Sequence, residues 1–275
     1  MHNLRKRAPD DGTLKMHDRE FRFTYIGGPT ALFEIGGIRF LTDPTFDPGG
    51  SEYKTNIYTL HKTAGPAVAA KSVGRIDVVL LSHDHHFDNL DGAGRALLPH
   101  AGVVLTTHSG AERLGGNSKP LASWESVDFK APGGALVRVT GTPARHGPPD
   151  GDRGPVTGFV ITTPGTSDDA VYVSGDTVWY EGVAEVARRF SVKAAILNMG
   201  AARVKEVGPA HLTFTAEEGV AAARAFPDAV IFPLHYDGWT HFSESRNEID
   251  SAFSSAGMME RLIWAEAGVP VPLEI

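Results

Sequence analysis

Val78, Val79, Leu80 and Leu81 run directly into Ser82, His83, Asp84, His85, His86, Phe87, Asp88, Asn89, Leu90 and Asp91. Four consecutive apolar residues ended by a polar cluster read as a short strand buried on both faces. Such a strand needs a covering layer above and below its sheet, so it constrains the chain to a layered fold. It also puts the polar cluster at the end of the strand. On an extended chain His83 and His85 would face one side, about 6.5–7 Å apart. Two imidazoles in that arrangement can grip one metal ion. The competing reading is a set of surface histidines in a polar loop.

The same pattern recurs along the chain. Residues 103–106 form an apolar strand with His108 just past its end, and residues 136–140 lead to His146. Residues 171–174 lead to Asp176, and residues 229–234 deliver His235. Earlier, alternating apolar and polar residues predict strands over 21–25, 31–35 and 38–42, joined by glycine turns. The third ends at Asp43 and Pro44, and Pro44 cannot continue a central ladder. Asp43 is a turn former or a partner that orients a metal-bound histidine. Helical spacing appears over 91–99, from 111 to 114, and over 181–190. A capping-box-like start at Thr215 and Glu218 opens another helix. A last helix over 248–253 and a closing strand over 269–275 complete the reading. Residues 47–72, rich in Gly, Pro, Tyr and Thr, read as a long loop, a common setting for a binding lid.

Composition narrows the chemistry. The chain has 275 residues, enough for a sizeable core. We read residues 1–18 as a flexible tail without the apolar stretch of a signal peptide, and residues 19–275 as a single domain. There is no cysteine, so a metal site must use histidine and carboxylate. The formal net charge of −7, without a long basic run, argues against a nucleic-acid partner. No run reaches the roughly 18 apolar residues of a membrane span. The expectation is a cytoplasmic protein without stable membrane association.

His83, His85, His146, Asp176 and His235 each follow an apolar strand. Strand ends at one edge of an α/β fold converge on ligand sites. Several histidines with a carboxylate and no cysteine suit a divalent ion, most commonly Zn2+.

These residues carry a resemblance. The stretch from Gly28 to Phe46 ending in Leu41, Thr42, Asp43 and Pro44, the run from Ser82 to His85, then His146, the run from Ser174 to Thr177, and Pro233, Leu234 and His235 resemble the metallo-β-lactamase superfamily. The nearest branch contains L-ascorbate-6-phosphate lactonase and the phospholipase D that hydrolyses N-acyl phosphatidylethanolamine. The resemblance spans roughly residues 20–265. It implies a four-layer αββα sandwich of two mixed β-sheets flanked by helices. It also implies that His83, His85 and His146 bind one metal, that Asp88 and His235 bind a second, that Asp176 bridges them, and that Asp43 supports the site.

One departure is visible. The usual H-x-H-x-D-H motif is here interrupted by an extra residue at His86 and Phe87, and Asn89 stands where the last histidine belongs. Asparagine is a poor zinc ligand. The second site is then weakened or empty, or takes a harder ion such as Mn2+, or is completed by His86. His211, before the helix that starts near Thr215, is a candidate to stabilise an oxyanion or protonate a leaving group; otherwise it is a helix-entry residue. Tyr236 to Trp239 are candidate pocket residues, and His241, in a polar loop, is given no role. The function expected is hydrolysis of an ester, lactone or phosphodiester of a small molecule, with Asp88 or Asp176 orienting a water. The rival is a binding protein of the same fold with reduced catalysis.

Overall fold

The computed structural model of the chain describes residues 20–150, 153–165 and 169–274. Residues 1–18, read above as a tail, lie outside the described residues. The opening strands are β1 (Glu20–Gly27), β2 (Thr30–Ile35) and β3 (Ile38–Thr42), paired in antiparallel order. Within residues 47–72, read as a loop, the chain makes a small hairpin of β4 (Glu52–Lys54) and β5 (Thr59–His61). Its tight turn is tied by Thr55, whose hydroxyl donates to the Tyr58 carbonyl at 2.8 Å. The apolar strand of the opening motif is β6 (Val78–Leu80), followed by α1 (Gly92–Leu97), β7 (Val103–Thr106) and α2 (His108–Leu114). The helix α2 starts earlier than its apolar spacing suggests. The Thr107 side chain accepts from Gly110 N and caps it, so His108 is a helical residue rather than a strand-end one.

The second half contains β8 (Ser118–Pro120), β9 (Ser126–Lys130), β10 (Leu136–Pro143), β11 (Thr157–Thr162) and β12 (Asp169–Val173). Then come α3 (Glu181–Arg189), β13 (Ser191–Asn198), α4 (Ala216–Ala225), β14 (Val230–Leu234), α5 (Arg246–Ser255) and β15 (Val271–Glu274). The capping box expected at α4 is present: Thr215 accepts from Glu218 N, and Glu218 accepts from Thr215 N. Strand β8 has no apolar run, while β9 alternates, with Val127 and Phe129 turned to the core between exposed polar residues; neither belongs to the sequence-based set of strands.

The strands form a seven-stranded sheet in the order β15-β1-β2-β3-β6-β7-β8 and a six-stranded sheet in the order β14-β13-β12-β11-β10-β9. Both are mixed, with parallel pairs at β3-β6-β7-β8 and β12-β13-β14. The sheets face each other across an apolar layer. Phe21, Phe23, Phe33 and Phe40 from one meet Val137, Phe159, Ile161 and Phe232 from the other, and the Phe23 and Phe232 rings lie 4.4 Å apart. Full burial of one such ring contributes about 1.5–3 kcal/mol, so this layer fixes the spacing of the sandwich. Alternation then sorts the outer faces. In β12, Val171 and Val173 point between the sheets while Tyr172 points out beneath α3, α4 and α5. On the opposite side Leu41, Val79 and Val104 are covered by Leu97 and Leu98 at the end of α1 and by Val73 and Ile76. The result is the four-layer αββα sandwich. No helix among the described residues is long and apolar enough to cross a membrane.

Candidate metal centre

The site forms where strands of both sheets end. Asp43 follows β3, Ser82 and His83 follow β6, His146 follows β10, Asp176 follows β12 and His235 follows β14. Asp43 is buried and accepts from the backbone N–H of Ser82 at 2.6 Å and from Asn89 Nδ2 at 3.3 Å. Burial and the nearby Asp176 carboxylate push its carboxyl up to about 7. Asp43 thus pins the start of the histidine-rich loop to the end of β3. The two sheets come close behind it. Gly175 has φ of +57°, and a Cβ there would sit 2.6 Å from Ser82 Cβ, so only glycine lets β12 turn against that loop.

One cluster consists of three imidazoles. His83 Nε2 lies 2.9 Å from His86 Nδ1, and His146 Nε2 lies 3.2 Å from the same atom. The rings are oriented from behind. His83 Nδ1 is 2.8 Å from Ser82 Oγ. His146 Nδ1 is 2.8 Å from the Leu212 carbonyl, so it carries the proton and Nε2 presents a lone pair. Burial, reinforced by the neighbouring imidazoles, holds His83 well below the usual histidine range and brings His86 down to about 3. The neutral form that ligates a metal is therefore the favoured one.

A second cluster combines a carboxylate with two imidazoles. Asp88 Oδ2 lies 3.0 Å from His241 Nε2 and 3.3 Å from His235 Nε2. His235 has φ of 55°, a left-handed conformation unusual for a non-glycine residue and common at functional sites. Asp176 stands between the clusters. Its Oδ1 accepts from Asn198 Nδ2 at 2.6 Å, while Oδ2 is 3.8 Å from His146 Nε2 and 3.6 Å from His235 Nε2.

The donor set fits divalent metal ions. Ring nitrogens on one tetrahedral zinc with bonds of 2.0–2.1 Å would be about 3.3 Å apart, close to the 2.9 and 3.2 Å of the imidazole cluster. Asp176 Oδ2 and both ring nitrogens of His235 are buried and make no hydrogen bond among the described residues. Buried polar atoms without partners are costly, and a cation against Asp176 Oδ2 and His235 Nε2 would resolve two of these.

The structure thus brings together His83, His146, Asp88, Asp176 and His235 from the sequence-based set. It does not bring in His85. That ring is exposed, and its Nε2 lies 2.9 Å from the carbonyl of Arg153. His86 stands in the cluster instead. The reason is local: Asn89 N and Leu90 N both donate to the His86 carbonyl, at 3.3 and 3.0 Å, so the chain is already turning and the two-residue alternation of a strand no longer holds. His211 also stays apart from both clusters, with Nε2 3.1 Å from Glu218 Oε1 at the start of α4. Asn89 points back to Asp43, and His241, to which the sequence gave no role, stands beside Asp88 and His235. Its one signal was arithmetic: a family histidine missing at Asn89, and an unassigned histidine six residues past His235.

Beside the clusters is a narrow cleft enclosing a cavity of about 20 Å³, lined by His86, Asp88, His146 and His241, by Tyr58 from the turn of the β4–β5 hairpin, and by Leu60, Val204 and Leu212. Its position beside both clusters, open to the surface, makes it the approach to the site.

Comparison with known proteins agrees with this architecture. The model of the beta-lactamase superfamily domain matches residues 38–236. A UPF0173 metal-dependent hydrolase of Methanoculleus marisnigri is 30% identical over 233 residues, covering 82% of this chain and 86% of the relative. The UPF0173 protein YddR of Bacillus subtilis is 23% identical over 252 residues, covering 89% and 97%. Among solved structures, an isothiocyanate hydrolase from Delia radicum gut bacteria superposes with a TM-score of 0.78 at 21% identity, covering 92% of this chain and 100% of that one. The chain belongs to the beta-lactamase superfamily and, within it, to the UPF0173 metal-dependent hydrolases.

Proposed function

We propose that this hydrolase is dinuclear: His83, His86 and His146 would hold one ion, Asp88, His235 and His241 a second, and Asp176, between the clusters, would serve both. Zn2+ is the ion that a cysteine-free imidazole cluster suits best, with Mn2+ as the alternative at the carboxylate-bearing cluster. The observation that carries this reading is the position of Asp176 Oδ2, buried, unpartnered, and between the two clusters. Divalent ions held there would lower the pKa of a water and offset the charge of a developing oxyanion. The protein's own groups do the rest. Asp88 and Asp176 orient the water through their carboxylates, Asn198 holds Asp176 in its rotamer, and the walls of the cleft limit access to small molecules. The substrate is an ester, lactone or phosphodiester of such a molecule. His211 receives no part in this scheme, because its ring is engaged by Glu218.

The experiment is metal analysis of protein purified under metal-replete conditions, followed by a panel of lactone, carboxylic ester, phosphodiester and isothiocyanate substrates. Two equivalents of metal and turnover of one class are expected. No bound metal would overturn the proposal and favour a binding protein of the same fold.

A further inference from the structure

We propose that the substrate carries an oxyanion group, carboxylate or phosphate, and that Arg153 is the residue that binds it. This rests on the cleft being the substrate site of the hydrolase described above. Arg153 lines that cleft together with His86, Asp88, His146 and His241. Its backbone is fastened on both sides. The N–H donates to the His146 carbonyl at 3.0 Å, and the carbonyl accepts from His85 Nε2 at 2.9 Å. Gly154, with φ of +102°, allows this approach, since a Cβ there would sit 3.1 Å from His85 Nε2. The histidine left out of the metal clusters therefore has a different position to hold, that of the arginine.

The guanidinium is also placed without being satisfied. Nη2 donates to the Val207 carbonyl at 2.5 Å, which fixes the plane of the group. Nε is buried and has no hydrogen-bond partner among the described residues. No carboxylate lies within ion-pair distance of Arg153 among the described residues, whereas the exposed Arg113 pairs with Asp84. The surrounding wall is apolar, formed by Leu60, Val204, Val207 and Leu212. A fixed cation with a spare donor in an apolar wall is an arrangement that recognises a planar or tetrahedral oxyanion. The apolar wall suits the carbon skeleton that carries it.

The test is calorimetric binding of hexanoate, hexyl phosphate and the neutral isostere hexanamide, to wild type, Arg153→Gln and Arg153→Lys, each both metal-loaded and metal-stripped. Wild type should bind one of the two anions at least tenfold more tightly than hexanamide in both metal states. The stronger anion names the substrate group. Arg153→Gln should bind anion and amide alike, and Arg153→Lys should fall between, with the metal content of both variants unchanged. A wild-type preference that vanishes on stripping would overturn the proposal, because the metal would then be reading the anion. So would an unchanged preference in Arg153→Gln. Protein that binds no metal at all yet keeps an Arg153-dependent preference supports this inference while sinking the dinuclear one. The wild-type comparison of hexanoate with hexanamide stands even if a variant fails to fold.

Discussion

The two ligand clusters differ in how they are held. In the trihistidine cluster two rings are oriented from behind, His83 by Ser82 Oγ and His146 by the Leu212 carbonyl. Such outer contacts fix tautomer and ring plane and raise ligand basicity. In the other cluster His235 Nδ1 and His241 Nδ1 are buried without partners among the described residues. Under the proposed metal assignment, that cluster would draw its affinity from charge instead. Burial alone would push the Asp88 carboxyl up, but the imidazoles of His241 and His235 outweigh it and hold the group well below the usual carboxylate range. One cluster is preorganised by contacts behind its rings; the other carries a carboxylate and lacks such contacts. The comparison teaches that the two positions should fill with unequal affinity, the trihistidine one first.

The most severe way to break that order is to remove a ligand from the stronger cluster. His146→Ala should lower turnover by about 10³-fold, equivalent to the several kcal/mol of transition-state stabilisation that a bound metal supplies. Metal analysis should show the loss of one equivalent with the circular dichroism spectrum retained. Turnover at the wild-type rate in this variant would exclude His146 as a ligand. A smaller effect is expected from the weaker side. His241→Ala should reduce affinity for the second ion by at least the roughly 10–100-fold that loss of an outer contact to a ligand costs, and leave the first in place. Competition titration with a chromogenic chelator separates the two ions. If both equivalents bind as before, the position left by Asn89 is filled by some other group. Smaller again is Ser82→Ala, which frees His83 Nδ1 while the Ser82 backbone still donates to Asp43. It should weaken the first ion by about tenfold and leave the second unchanged; an equal loss at both would mean that the clusters are coupled more tightly than their separate supports imply.

Much of this was legible in the sequence because it depends on short-range pattern. Residues 78–81 predict a strand by apolar run alone, and the strand-end rule then locates His83, Asp176 and His235 without further help. The capping box at Thr215 was legible for the same reason. What was hidden depends on where the pattern stops. Period two carries a strand only as far as its ladder, so alternation pairs His83 with His85, while the turn at His86 sets that ring, expected only as a substitute ligand, beside His83 and His146. His241 was hidden differently. It lies in a loop held by long-range contacts, with Thr240 N donating to the His61 carbonyl and a bridge between Lys62 and Trp239. These tie residues 235–242 to the β4–β5 hairpin, some 180 residues earlier in the chain, and no local periodicity reports such a contact. The hairpin itself was taken for a loop because its strands are only three residues each.

The mildest prediction is also the one that separates the two readings of the histidine-rich loop. His85→Ala removes a hydrogen bond to the Arg153 carbonyl and no ring nitrogen from either cluster. Its cost should be that of one neutral hydrogen bond, about 1 kcal/mol, and a fall in Tm of about 2–4 °C for a domain approaching this size. Both metal equivalents should remain, and any loss of activity should appear in KM, because the arginine is released while the ligands are not. His86→Ala is its counterpart and should lose an equivalent of metal while barely moving Arg153. Were the two results exchanged, with His85→Ala emptying the first site and His86→Ala keeping it, the loop would ligate with strand-like alternation, as its first four residues suggest, and the turn at His86 would open when the metal enters.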